Sequence, residues 1–250
     1  MENLIIKSIY SIILLFFLVG GVGFYFINKK KDAKTARNNR VKLFTYFAII
    51  NIIFFSITLN PLFFRALSVL IAIAGAFELI RLFRESHFKH RNFFYPALLL
   101  YLFIALHFWR FSLLPAGVIL FTFIVLSAFD SFSQISGQLW GSHKIFPKIS
   151  PNKTIEGAAG GAIMAMFTGF LLRSLFTIPG TSSSLHYILL AALISLFALI
   201  GDFLASYFKR KYQVKDYSNL IPGHGGILDR FDSLITAGAL TSMLAISMFT

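Results

Sequence analysis

Apolar residues in this chain gather into eight long runs separated by short polar breaks. Measured against the roughly 20 residues that a membrane-spanning helix needs, the runs lie near 4–27, 43–59, 62–80, 93–109, 113–129, 157–178, 186–207 and 232–249. The second and fourth are short, and polar neighbours blur their ends. The first resembles the apolar stretch of a secretory leader. It is too long for one and lacks a small-residue cleavage pattern, so it reads as a retained anchor. The pattern predicts an all-α polytopic membrane protein of about eight transmembrane helices, folded as one domain over residues 1–250. Residues 1–129 form an N-terminal set of helices, and 130–250 carry the chemistry-bearing polar groups. No repeat of fixed period or linker-like stretch divides the chain.

Composition agrees with a lipid solvent. Apolar residues make up 57% and charged residues 13%, with a mean hydropathy of +0.75; an ordinary soluble domain carries roughly 45–50% and 25%. Phe occurs 31 times, which suits lipid-facing surface. With no Cys there is no disulfide framework, thiolate metal site or Cys nucleophile.

Charge then orients the runs. Residues 28–42 hold seven Lys/Arg, 81–92 four, 130–156 three and 208–231 five, together nineteen of the twenty-three. The alternate breaks at 60–61, 110–112 and 179–185 are nearly bare. The positive-inside rule puts the four basic loops in the cytoplasm and both ends outside. The net charge of +13 then faces anionic lipid and anionic substrate, and nucleic acid is not an expected partner. The first three or four helices carry few polar groups and read as scaffold or homodimer surface. Arg65 and Glu78 are exceptions, each near an expected helix end where a long side chain can snorkel to the interface.

Two of the basic loops stand apart. Asp130 to Glu156 and the segment after the seventh run together hold Asp130, Lys153, Asp202, Lys209, Arg210, Lys215, Asp216, His224, Asp229, Arg230 and Asp232. Carboxylates beside cations at one membrane face suit a divalent metal and phosphate groups. Asp202, Ser206 and Lys209 share one helix face by their spacing. An ionised Asp202 inside an apolar run needs a cationic partner. Asp229 and Asp232 are three apart at the start of the eighth run and project side by side. Such oxygens suit Mg²⁺, which binds through one or two carboxylates plus substrate phosphates. Plainer readings exist for each group. The two acids favour any helix N-terminus, Lys209-Arg210-Lys211 suits lipid headgroups, and His224-Gly225-Gly226 suits a turn. Their coincidence beside an acid in a membrane helix is what points to an active site.

Ser206-x-Phe208-Lys209-Arg210, four residues, Lys215-Asp216-x-Ser218, then Pro222-x-His224-Gly225-Gly226-x-x-Asp229-Arg230-x-Asp232 resembles the signature of the phosphatidate cytidylyltransferases, the CDP-diglyceride synthases. The likeness extends upstream through Ser150-Pro151-Asn152-Lys153-Thr154-x-Glu156-Gly157 and covers roughly the C-terminal half. It implies transfer of a cytidylyl group from CTP to phosphatidate, with Mg²⁺ and a second cation such as K⁺. It also implies a bacterial cell (inner) membrane with the active site on its cytoplasmic face. Asp202, Asp229 and Asp232 correspond to the metal-binding acids. Asp202, Asp229, Lys209 and Lys215 are the expected catalytic set, and Lys153, Ser206, Arg210, His224, Arg230 and Asp130 the substrate-binding set. Both reactants are polyanions, so metal and Lys/Arg would lower their repulsion, and an already ionised phosphate needs no strong base. Gly157, Gly160 and Gly161 read as close-packing positions.

One region departs from the resemblance. Asp130 is followed by Ser133-Gln134 and Gly137-Gln138, so a basic residue expected near Gln138 is missing, which leaves the accepted lipid phosphate open and allows a divergent paralogue. A CTP-dependent lipid kinase is the nearest alternative, and a transporter or lipid-binding scaffold the non-enzymatic one. A transporter calls for polar groups strung through the midplane or for two related halves, and neither is seen.

Overall fold

The structure, a computed structural model, describes residues 2–29, 32–178, 183–223 and 225–249. Among them are eight α-helices: α1 (Glu2–Asn28), α2 (Ala33–Leu59), α3 (Pro61–Glu85), α4 (Arg91–Phe111), α5 (Ala116–Trp140), α6 (Ile155–Leu172), α7 (Ser184–Lys211) and α8 (Leu228–Phe249). Between α5 and α6, β1 (Lys144–Phe146) and β2 (Ser150–Thr154) pair antiparallel as a hairpin. The helices α1 to α7 are long and apolar enough to cross a membrane, and the chain is a multi-pass, all-α membrane protein.

The eighth run forms α8, which lies inside the bundle against α3, α4, α5 and α7. Phe231, Leu234, Ile235, Ala237 and Leu240 are all buried there. Its buried hydroxyls turn back on their own helix, Thr236 donating to the Asp232 carbonyl at 2.8 Å and Thr241 to that of Ala237 at 2.9 Å. Such back-bonding lets polar residues sit in a low-dielectric core without an orphaned donor. By contrast α1 exposes Leu15, Phe16, Leu18 and Val19, as a helix in lipid would.

Several boundaries differ from those the hydropathy predicts. The helix α2 begins at Ala33, so residues 33–42 are helical rather than part of a basic loop. Lys, Arg and Ala are good helix formers, and the Asp32 carboxylate caps the new start by accepting from the Thr35 N–H at 2.9 Å. The polar stretch after Asp130 also stays helical, because α5 continues to Trp140. Asp130 therefore projects from a helix instead of a loop. At the other end of the bundle, α6 stops at Leu172 rather than 178. There the Arg173 guanidinium folds back to donate to the Phe170 carbonyl at 2.6 Å. Asn60 closes α2 and caps α3, its side chain accepting from the Leu62 N–H at 2.9 Å with Pro61 as the first helical residue.

The extension of α5 is locked by small residues. Gly157 and Gly161 of α6 face Ser133 and Phe129 of α5, where a Cβ at 161 would lie 2.7 Å from the Phe129 carbonyl oxygen and 3.0 Å from its ring. The expected close approach of backbones is thus present, and its partner is α5.

The four basic stretches meet at one end of the bundle. Thr45 near the start of α2 donates to the Pro222 carbonyl at 3.4 Å, and Tyr212 after α7 donates to the Lys89 carbonyl at 3.4 Å. Arg210 donates to the Ile149 carbonyl of the hairpin at 3.0 Å. This shared end is what the alternation of charge demands.

Overpacking at the α5–α6 contact should be felt. Gly161→Ala is expected to lower stability by about 1–3 kcal/mol, read as thermal unfolding in detergent. Gly20→Ala, where a Cβ meets nothing within 4 Å, should not lower the midpoint, since Ala is the better helix former.

Candidate active site

The segment between α7 and α8 has no apolar run to fold on, so carboxylates shape it. Asp229, in the first turn of α8, has a side chain only 1% exposed. Its Oδ2 accepts from the Tyr217 N–H at 2.7 Å and the Gly226 N–H at 2.9 Å, and its Oδ1 accepts from Lys209 Nζ at 2.5 Å. Three donors, one of them charged, make burial of this charge tolerable. Gly225 has φ +85°, and a Cβ there would lie 2.9 Å from Asp229 Oδ2, so both conformation and space require glycine. Tyr217 is buried beneath the loop and donates its hydroxyl to the Ala205 carbonyl at 2.9 Å. Burial, aided by nearby carboxylates, raises that hydroxyl well above its ordinary range. His224 falls outside the described residues.

A second group surrounds Lys153, at the end of the hairpin. Its ammonium pairs with Asp202 of α7, which gives that half-buried acid the cationic partner its position calls for. Asp232 of α8 and Asp130 of α5 lie within electrostatic reach of the same ammonium. Burial pushes Lys153 below its ordinary range, Asp232 and Asp130 pull it back up, and Lys209 adds to the fall. The approach of α7 to α8 is set by Gly201, immediately before Asp202, where a Cβ would lie 2.7 Å from the Asp232 carbonyl oxygen. Asp232 Oδ1 accepts from the Ser233 N–H at 2.8 Å. Arg230 reaches the Tyr46 hydroxyl at 3.4 Å, and its buried Nε has no hydrogen-bond partner among the described residues.

The structure thus gathers Asp130, Lys153, Asp202, Lys209, Asp229, Arg230 and Asp232. Ser206 is half-buried on α7 between Asp202 and Lys209, and Lys215 is exposed on the loop that follows. Arg210 points to the hairpin instead, its Nε on the Ile149 carbonyl and its Nη1 on that of Val214 at 2.8 Å. It ties loop to loop.

Glu78 was not legible as part of this group. It lies seven residues inside the end of α3 rather than near it, and it is fully buried. Its Oε1 accepts from Ser218 Oγ at 2.6 Å and the Ile227 N–H at 2.9 Å, and its Oε2 from the Leu228 N–H at 2.8 Å. The available signal was spacing. Ile71, Gly75, Glu78, Leu79 and Leu82 form one buried helical stripe, so a snorkelling side chain was the wrong reading at 78.

A cavity of about 330 Å³ lies between α4, α7 and α8. Phe93, Pro96, Ala97, Leu100 and Leu204 supply apolar wall, and Asp232 and Thr236 are among its polar lining. Pro96 and Leu100 are exposed, so the cavity opens on the lipid-facing side of α4.

Comparison with known proteins places residues 92–248 in a match to the cytidylyltransferase family. A phosphatidate cytidylyltransferase of Staphylococcus haemolyticus (strain JCSC1435) is 42% identical over 130 residues, 52% of this chain and 49% of that protein. Those of Bacillus subtilis (strain 168) and Brucella abortus (strain 2308) are 39% and 43% identical over 117 and 122 residues, covering 47% and 49% of this chain and 43% and 44% of those proteins. The chain matches these curated relatives over about half of their length.

The Lys209–Asp229 pair is the most buried of the ion pairs among the described residues. Lys209→Met, which strands the Asp229 charge, is expected to cost about 3–5 kcal/mol. Arg81→Ala, at the exposed pair with Glu85, should cost less than about 1 kcal/mol. Unfolding of both variants in the same detergent checks the contrast.

Proposed function

The chain belongs to the cytidylyltransferase family, and on that premise we propose that it transfers a cytidylyl group from CTP to phosphatidate or a related lipid phosphate. A non-bridging oxygen of the lipid phosphate forms a bond to the α-phosphorus of CTP. The bond from that phosphorus to the α–β bridging oxygen breaks, and pyrophosphate leaves with the electron pair. The products are CDP-diacylglycerol and pyrophosphate.

The observation that carries this reading is the position of Asp232. It lines a cavity that opens beside α4 and also lies within reach of Lys153 and Lys209. A lipid phosphate and a water-soluble polyphosphate need such a junction, where acyl chains stay in hydrocarbon while phosphates meet cations. Lys153 and Lys209 would offset the repulsion between the two anions, and Lys215 is free in the loop to reach the outer phosphates. Arg230, with a buried donor left over, suits a phosphate oxygen. In-line displacement asks the protein mainly for positioning and charge stabilisation, and no covalent intermediate is needed. On this reading the basic end of the bundle faces the cytoplasm of a bacterial cell, where CTP is available.

The donor set fits Mg²⁺. That ion takes one or two carboxylates and completes its shell with water and substrate phosphates. Asp202 and Asp232 offer such a pair at the α7–α8 approach. Asp229, also expected among the ligands, already accepts from three donors and has a positioning part. Among the described residues no three His, Asp or Glu side chains stand together as a metal cage. When bound, it would neutralise phosphate charge and polarise the phosphoryl group.

Purified protein with Mg²⁺, phosphatidate and CTP labelled at the α-phosphate should yield labelled lipid, whereas a γ-phosphate label should leave as pyrophosphate. Asp232→Asn is expected to lower turnover by at least about 100-fold. No labelled lipid from the parent, or a variant as active as the parent, would sink the proposal.

A further inference from the structure

A helix that begins inside a membrane bundle must find acceptors for its first N–H groups. The usual solution is a Ser, Thr, Asp or Asn just before the first turn. Here that place is taken by Ile227, which has no side-chain acceptor, so the local sequence leaves the start of α8 uncapped. Glu78 supplies the missing cap from α3. One carboxylate accepts both the Ile227 and Leu228 N–H groups, and its charge lies at the positive end of the helix dipole. Gly226 is what lets it in, since a Cβ there would lie 2.8 Å from Oε2 and 2.9 Å from the carboxyl carbon.

Glu78 also reaches Asp229 through the loop. It accepts from Ser218 Oγ, and the preceding residue, Tyr217, gives its N–H to Asp229. The two carboxylates therefore divide the donors of one turn, with Gly226 and Tyr217 on Asp229 and Ile227, Leu228 and Ser218 on Glu78. With no exposed surface and its carboxylate oxygens taken up by Ser218, Ile227 and Leu228, Glu78 does not touch substrate.

We infer that Glu78 is a positioning residue of the proposed reaction: it caps α8 from α3 and thereby sets where Asp229 and Asp232 stand. It precedes the residues 92–248 that match the family, so the site draws on the N-terminal helices as well. The inference rests on the cytidylyl-transfer reading for its kinetic test, and on geometry alone for its second.

The experiment compares Glu78→Ala, Glu78→Gln and Ile71→Ala, the last a buried residue of the same helix away from the loop. Rates are normalised to folded protein. Glu78→Ala should lower kcat by about 100-fold, the scale of a misplaced catalytic group, with the KM for CTP changed by less than about threefold. Glu78→Gln keeps an acceptor oxygen and should recover at least about tenfold of that loss. Ile71→Ala should lower the unfolding midpoint while keeping kcat. A Glu78→Ala enzyme within about twofold of the parent, or equal kcat losses in Glu78→Ala and Ile71→Ala, overturns the inference. If the parent makes no CDP-lipid, the functional reading fails. Amide exchange over residues 217–229 then decides the role of Glu78. Faster exchange there in Glu78→Ala but not in Ile71→Ala supports it, and equal exchange in the two overturns it.

Discussion

Three N–H groups open α8 inside the bundle, where neither bulk water nor lipid offers an acceptor, and two carboxylates take them. Each donor left unpaired there would cost about 1–3 kcal/mol, so the acids must come with the helix. Buried acids in turn need donors of their own. That second demand brings Lys209 from α7, Tyr217 and Ser218 from the loop, and the glycines at 225 and 226 that leave room for the carboxyl groups. The same arrangement sets the direction of α8 and so the place of Asp232. Chemistry and fold therefore share one set of hydrogen bonds.

Most of the architecture was legible because lipid imposes a simple code. Runs of apolar residues became helices, and the basic breaks collected at one end. Where α2 and α5 run longer than the reading, they do so through polar residues that are compatible with a helix. The Lys and Arg residues before Val41 and the Ser, Gln and Gly residues after Asp130 lower hydropathy without breaking hydrogen bonding, so α2 and α5 run on through them. The site divides in the same way. Asp202, Lys209, Asp229 and Asp232 were readable because acids and cations at helical spacing are rare in such a chain. Glu78 was not, because its partners are backbone groups about 150 residues away, and no local pattern records them. Arg210 also has a part that its motif does not record: its Nε and Nη1 donate to the Ile149 and Val214 carbonyls.

The N-terminal helices thus do more than fill the bilayer. The helix α3 supplies a cap, and α2 touches the Pro222 turn through Thr45 and lies near Gly223 through Lys42. The contact of α5 with α6 brings Asp130 to the side of the hairpin. Small residues at 133, 137, 157 and 161 allow that approach.

The hairpin is fastened to α7 at three points of different kinds. Lys153 pairs with Asp202, the Phe146 ring packs 4.4 Å from that of Phe203, and Arg210 holds the Ile149 carbonyl. All three lie on one helix, so lifting the hairpin alone would break a charge contact, an aromatic contact and a hydrogen bond together. Local openings of low cost release few contacts. Hairpin and α7 consequently behave as one mechanical body, on which α4 also rests, its Phe93 and Phe94 rings packing against Tyr207 and Phe208 of that helix.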